Sequence, residues 1–166
     1  KDDLAVDGGI VTLPSQKEFM GLSYDYHDSD GIGFRNEESI TDIEAYSATA
    51  IRSTYNKAFP GENTVAEPER LYVDKIERFL LVDDVPEQTI DFYPKDVVKT
   101  YTFEVRRVRG ARHILQTRGA IAGVSEAYFL SKKTLSEKIS TLLYNARKDS
   151  ETDRIVGSFR TFGFNS

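Results

Sequence analysis

The sequence predicts an all-β fold, on three observations: period-two alternation in three separate stretches, glycine- and proline-marked breaks between them, and little at helical spacing. From Phe19 to Tyr26, Met20, Leu22, Tyr24 and Tyr26 fall on one side of an extended chain, with Gly21, Ser23 and Asp25 on the other. That is the pattern of a half-buried strand. Val97 to Val108 alternates most cleanly. Tyr101, Phe103 and Val105 share the face expected to point inward, and Thr102, Glu104 and Arg106 the outward face. From Arg154 to Phe162, Ile155, Gly157, Phe159 and Thr161 alternate with Val156, Ser158, Arg160 and Phe162, and Gly163 stops the run.

The remaining elements follow in order. Ile10 to Leu13 is a short β-branched run, opened by Gly8-Gly9 and ended by Pro14, and reads as a strand. The cluster from His27 to Gly33 reads as a turn, with Gly31 and Gly33 free to take positive φ. Two stretches fit two templates. Ile40 to Tyr55 alternates through Ile43, Ala45, Ser47, Thr49 and Ile51, yet Ser39 could cap a helix there. Leu135, Ile139, Leu142 and Leu143 have helical spacing, while Ile139, Thr141 and Leu143 alternate as a strand would. Between Tyr55 and Leu71, Pro60-Gly61 and Pro68 mark a long loop. Gly110 marks another turn, and a break at residues 83–87 with Pro94 beyond it places a domain boundary near residues 83–96.

Composition narrows the function classes. A net charge of −5 speaks against nucleic-acid binding, which needs a basic footprint. The one basic cluster, Arg106, Arg107, Arg109 and Arg112 with Arg118 further on, reads as a solvated strand edge and turn. The absence of cysteine removes disulfides, thiolate metal sites and cysteine nucleophiles together. No apolar run reaches the ~20 residues of a membrane helix, and Lys1-Asp2-Asp3 reads like the start of a trimmed mature fragment.

Candidate chemistry is sparse. His27 and His113 stand in no ligand spacing, no GxSxG elbow occurs, and no glycine-rich loop between a strand and a helix cradles phosphate. Asp25, His27, Asp28 and Asp30 before Gly31 could ligate a hard cation. The calcium-loop spacing fails, however: Gly31 as position six puts Tyr26 at position one, and Gly33 puts Ser39 where a bidentate glutamate is required. An Asx-rich turn, with no calcium bound, is expected. Tyr24, Tyr26, Phe34, Tyr46 and Tyr55 crowd the first half. They could form an exposed platform for sugars, or serve as core and cross-strand pairs. No catalytic, cofactor-binding or metal-binding residue is assigned, and an enzyme is not expected.

Several phrases carry a resemblance: GGIVTLP (Gly8 to Pro14), LSYDYHDSDGIGFRN (Leu22 to Asn36), AEPERLYV (Ala66 to Val73), YTFEVRRVRG (Tyr101 to Gly110), GAIAGVSEAYFL (Gly119 to Leu130) and IVGSFRTFG (Ile155 to Gly163). In that order they resemble surface lipoproteins of Gram-negative gut and oral anaerobes related to the FimB-type fimbrial anchor and accessory proteins. The resemblance implies two tandem transthyretin-like β-sandwiches, over residues 1–90 and a partial one over 95–166, with both ambiguous stretches as strands. It also implies further strands before Leu4 and beyond Ser166, and a lipidated cysteine at the outer membrane that this chain lacks. The expected role is a non-enzymatic cell-surface subunit that binds fimbrial or other surface proteins, through an open sheet edge and without cofactor. The alternative is a carbohydrate-binding surface module.

Overall fold

The computed structural model describes residues 2–5, 7–13, 18–27, 31–82, 85, 87–149 and 151–165. In chain order the strands are β1 (Glu18–Tyr26), β2 (Ile32–Arg35), β3 (Glu44–Ser47), β4 (Thr64–Val65), β5 (Leu71–Leu80) and β6 (Lys95–Asp96). They continue with β7 (Lys99–Val105), β8 (Thr117–Ser125), β9 (Ala127–Phe129), β10 (Thr134–Leu135), β11 (Ile139–Lys148) and β12 (Ile155–Thr161). Among the described residues one short helix, α1 (Ser53–Ala58), lies between β3 and β4, and a single 3-10 turn spans Ala111–His113. The fold is all-β, as the alternation predicts.

The strands form three sheets. A three-stranded sheet runs β1-β5-β6 and a four-stranded one β10-β9-β3-β2. In the five-stranded sheet, β11 carries antiparallel β8 along one edge. Parallel β4 and then antiparallel β12 lie along its other edge, and β12 pairs with β7. The three-stranded and four-stranded sheets share one core, where Leu71 and Val73 meet Ile32, Ala45, Ile43 and Leu130, with Leu22, Tyr24 and Phe34 packed around them. Phe162, just past β12, is 1% exposed in that same core. The second cluster lies on one face of the five-stranded sheet: Val65, Val124, Leu142 and Phe159, flanked by Tyr101, Phe103, Ile121 and Tyr144.

These pairings correct the expected division at residues 83–96. β3 of the first half pairs with β9 of the second, and β4 pairs with β11. Val98, Leu130 and Phe162 complete the core that Leu71 and Ala45 begin. Polar ties cross the same line: Arg35 donates to Glu126 (3.3 Å), Asn63 donates to Glu126 (2.9 Å) and Ser140 (2.7 Å), and Arg160 donates to Glu69 (3.0 Å). Residues 1–90 and 95–166 therefore do not hold separate cores. The reason is that β-pairing joins residues far apart in sequence, and a proline-rich break says nothing about which strands meet across it.

Smaller corrections have equally local causes. Ile10 to Leu13 form no strand, and Ile10 is 88% exposed; a β-branched run without a partner edge stays unpaired. Within Ile40 to Tyr55 the strand reading holds for β3 alone, and helix begins only at Ser53. Ser39 heads a turn instead, accepting at its carbonyl from the N–H groups of Asp42 and Ile43 while its hydroxyl donates to Asp42 (2.8 Å). The stretch read as a loop between Tyr55 and Leu71 holds the second half of α1 and all of β4. Gly33 sits inside β2, where a Cβ would lie 2.5 Å from the Tyr46 ring, so close approach rather than positive φ requires glycine. Gly31 likewise lacks positive φ and faces the Glu67 carbonyl. Gly110, at φ 74°, is the turn glycine the sequence indicates.

Candidate functional site

The predicted side chains scatter. Asp25 and His27 are exposed at the end of β1, while Asp28 and Asp30 lie outside the described residues. Among the described residues, no three His, Asp or Glu side chains gather closely enough to hold a metal ion. The aromatic residues of the first half divide among several roles. Tyr24 and Tyr26 pack around Phe34, with ring centroids 5.1 and 4.7 Å from it. Tyr46 covers Gly33 and takes the Arg35 guanidinium over its ring at 5.0 Å. Tyr55 of α1 pairs with Phe59, just past the helix, and donates its hydroxyl to Glu62 (2.7 Å). These rings are spread over four elements, β1, β2, β3 and α1.

A different set of side chains comes together on the five-stranded sheet. The inward face predicted for β7 is the correct one: Tyr101 and Phe103 are half-buried against the second cluster, and Thr102 and Glu104 are exposed. Val105 shares their face but is 50% exposed, because it lies at the strand's end. Rings then run across the sheet. Phe103 meets Tyr144 edge-on at 5.4 Å, Tyr144 stacks on Phe159 at 5.0 Å, Phe159 on Tyr101 at 5.5 Å, and Phe164 closes the row against Tyr101 at 5.3 Å.

Two glycines in mid-strand seat this row. Gly157 lies opposite Phe103 and Gly119 opposite Tyr144 in the strand register. A Cβ on Gly157 would sit 2.7 Å from the Phe103 ring, and one on Gly119 2.1 Å from that of Tyr144. The rings thus lie down on the backbone of the neighbouring strand. Beside them a groove of about 450 Å³ opens, lined by Phe103, Tyr144, Ala146, Ile155, Thr117 and Gly119 among others. The Thr117 hydroxyl oxygen is buried there without a hydrogen-bond partner.

Past the paired Val105 and Ile155, which line the groove, the neighbouring residues of the chain border a shallow cleft of about 730 Å³: Arg106, Arg107, Arg109 and Arg154 with Val108, Thr152 and Asp153. Arg106 and Arg154 both contact Glu104, at 2.8 and 2.7 Å. These guanidiniums, Arg106 foremost, hold the Glu104 carboxyl below the usual carboxylate range. The Val108 N–H bonds the Asp153 carbonyl (2.9 Å), which fixes the two loops side by side. Arg107 takes a left-handed backbone, φ 57°. On the other side of β8, Arg52 donates to the carbonyls of Gly119 (3.1 Å) and Tyr144 (3.0 Å), clamping β8 to β11.

Sequence reading finds the basic cluster and the face of β7, and misses the groove, Arg154 and Arg52. The available signal is glycine inside strand patterns: Gly119 and Gly157 fall where no turn is needed, which marks a close approach to the backbone.

The fold and site together define a multi-sheet β protein whose distinctive surface is an aromatic groove beside an arginine rim. The chain belongs to the DUF5119 family, a domain of unknown function, which it matches over residues 2–145. It is also similar to a solved structure, that of a putative adhesin from Bacteroides ovatus, at 25% identity and a TM-score of 0.78. The match covers 98% of this chain and 55% of that one, so the chain spans about half the length of that relative. No curated protein matches it.

Proposed function

We propose that this chain is a non-enzymatic adhesion module displayed at the cell surface. The observation that supports this is the likeness to the Bacteroides ovatus protein over nearly the whole chain, at 25% identity. On this reading it acts as a fimbrial anchor or accessory subunit, the role its sequence phrases resemble, and a lipid tether on the full-length protein holds it at the outer membrane. Protein partners dock on the outer edge of β7, which no strand among the described residues covers. An edge strand offers a row of unpaired N–H and C=O groups that an added strand satisfies.

The test uses the full-length protein in its native cell. External protease should remove it from intact cells, and a photo-crosslinker at Thr102 in β7 should capture a surface protein, whereas one at Glu137 should not. Protection from external protease, or equal capture from both positions, overturns the reading.

A further inference from the structure

We propose that the groove at the end of the five-stranded sheet binds an acidic polysaccharide, a chain of sugar rings bearing carboxylate or sulfate groups. This goes beyond the adhesion reading, because it concerns the groove and its rim, not the free edge of β7.

Charge placement is the first argument. The chain carries a net charge of −5, yet four arginines border one cleft. Among the described residues Glu104 pairs with Arg106 and Arg154. Arg107 and Arg109 are exposed, and no carboxylate among the described residues pairs with either. Arg107 also holds a backbone conformation that residues other than glycine rarely adopt. A guanidinium presents a planar fork of donors that matches carboxylate and sulfate geometry, so the rim has anion-binding capacity that the protein does not use internally.

The floor is the second. A sugar ring has C–H faces that rest on aromatic rings and a hydroxyl edge that needs polar partners. Phe103 and Tyr144 supply half-buried rings seated on glycine, and the Thr117 hydroxyl supplies a polar group with no partner of its own. The volume of about 450 Å³ suits a short run of rings rather than a folded domain. An acidic peptide is the poorer fit, since an extended backbone needs a sheet edge and this floor is a sheet face made of side chains. Duplex nucleic acid would bring far more negative charge than four arginines offset on an acidic protein.

Heparin, a sulfated chain rich in uronic acid, is the probe, with duplex DNA, polyglutamate and uncharged dextran as comparisons in calorimetry at ~0.15 M salt. Heparin should bind, more tightly than the other three. The double variant Arg107→Ala/Arg109→Ala, which removes exposed unpaired side chains, should weaken binding more than tenfold. Phe103→Leu should weaken it several-fold with the circular dichroism spectrum unchanged. Lys57→Ala/Lys138→Ala, which removes the same charge elsewhere, should bind as the parent does. The proposal is overturned if heparin does not bind, if DNA or polyglutamate binds equally well, or if the lysine pair matters as much as the arginine pair. Loss of heparin binding with Thr102 capture intact would remove this site and leave the adhesion reading standing.

Discussion

The two apolar clusters of this protein are built on opposite plans. The first lies between two sheets, and its members Ala45, Leu71, Leu130 and Phe162 are shut away from water almost completely. The second lies on one face of a single sheet: Val65, Val124, Leu142 and Phe159 are buried, but toward the Val105 end it opens. Its rings Tyr101, Phe103 and Tyr144 remain half-buried, and Val105 and Leu115 nearby are 50% and 100% exposed. A cluster closed on both sides contributes mainly stability. One closed on a single side keeps apolar area available for another molecule, which is how exposed apolar patches come to mark binding sites.

Truncation should separate the two plans most sharply. Phe162→Ala removes a ring that reaches the first cluster from the far end of the chain. It should cost about 3–5 kcal/mol, measured by urea unfolding, because a closed core cannot collapse around the lost ring. Phe103→Ala should cost clearly less, ~1 kcal/mol, since a half-buried ring forfeits only part of its transfer free energy. Equal losses at the two positions would mean that the second cluster is as closed as the first.

The same contrast explains what was legible in the sequence. Strand existence is a local property: the alternation at residues 19–26, 97–108 and 154–162 correctly indicates strands, and the inward face it names at Tyr101 and Phe103 is the half-buried one. Strand pairing is not local. Nothing near Glu44 in sequence indicates that β3 will lie against Phe129, or that Thr64 will lie beside Thr141. The division of the chain failed for that reason, and the arginine rim was visible only in part, because Arg154 reaches it from a different hairpin than Arg106.

Glycine substitution probes the open cluster from below. Gly119→Ala places a methyl group where the Tyr144 ring now rests, 2.1 Å away. The ring's outer end can swing, so a cost of ~1–3 kcal/mol is expected rather than loss of the fold. Tyr144 should leave its edge contact with Phe103, which a change in near-ultraviolet circular dichroism would register. At Gly61, where φ is 88° and nothing lies within reach of an added Cβ, alanine should leave that spectrum unchanged.

The smallest expected effect concerns acid. Asp74 on β5 accepts from the Tyr93 N–H and the Lys75 N–H, both at 2.8 Å, and so ties the segment before β6 to the three-stranded sheet. The Tyr93 hydrogen bond is the foremost cause holding its carboxyl below the usual range, with Lys75's N–H and the charges of Lys133 and Lys95 assisting. A carboxyl whose folded pKa is depressed binds its proton more readily in the unfolded chain. Its stabilising contribution is therefore fully present above the unfolded value of about 3.9, and is lost as pH falls through the lower, folded value. Glu104 obeys the same sign at the rim of the open cluster, where protonation would release Arg106 and Arg154. The consequences differ because the partners differ. Protonating Asp74 loosens a backbone attachment, so the Tyr93 amide should exchange faster as pH is lowered toward 3, after correction for the intrinsic rate. Asp74→Asn should show the looser exchange already at neutral pH. Protonating Glu104 only frees two exposed arginines, and the amides of β7 should keep their protection over the same range. Loss of β7 protection alongside that of Tyr93 would show that the Glu104 contacts help to hold the sheet together, and that the rim is structural rather than available to a ligand.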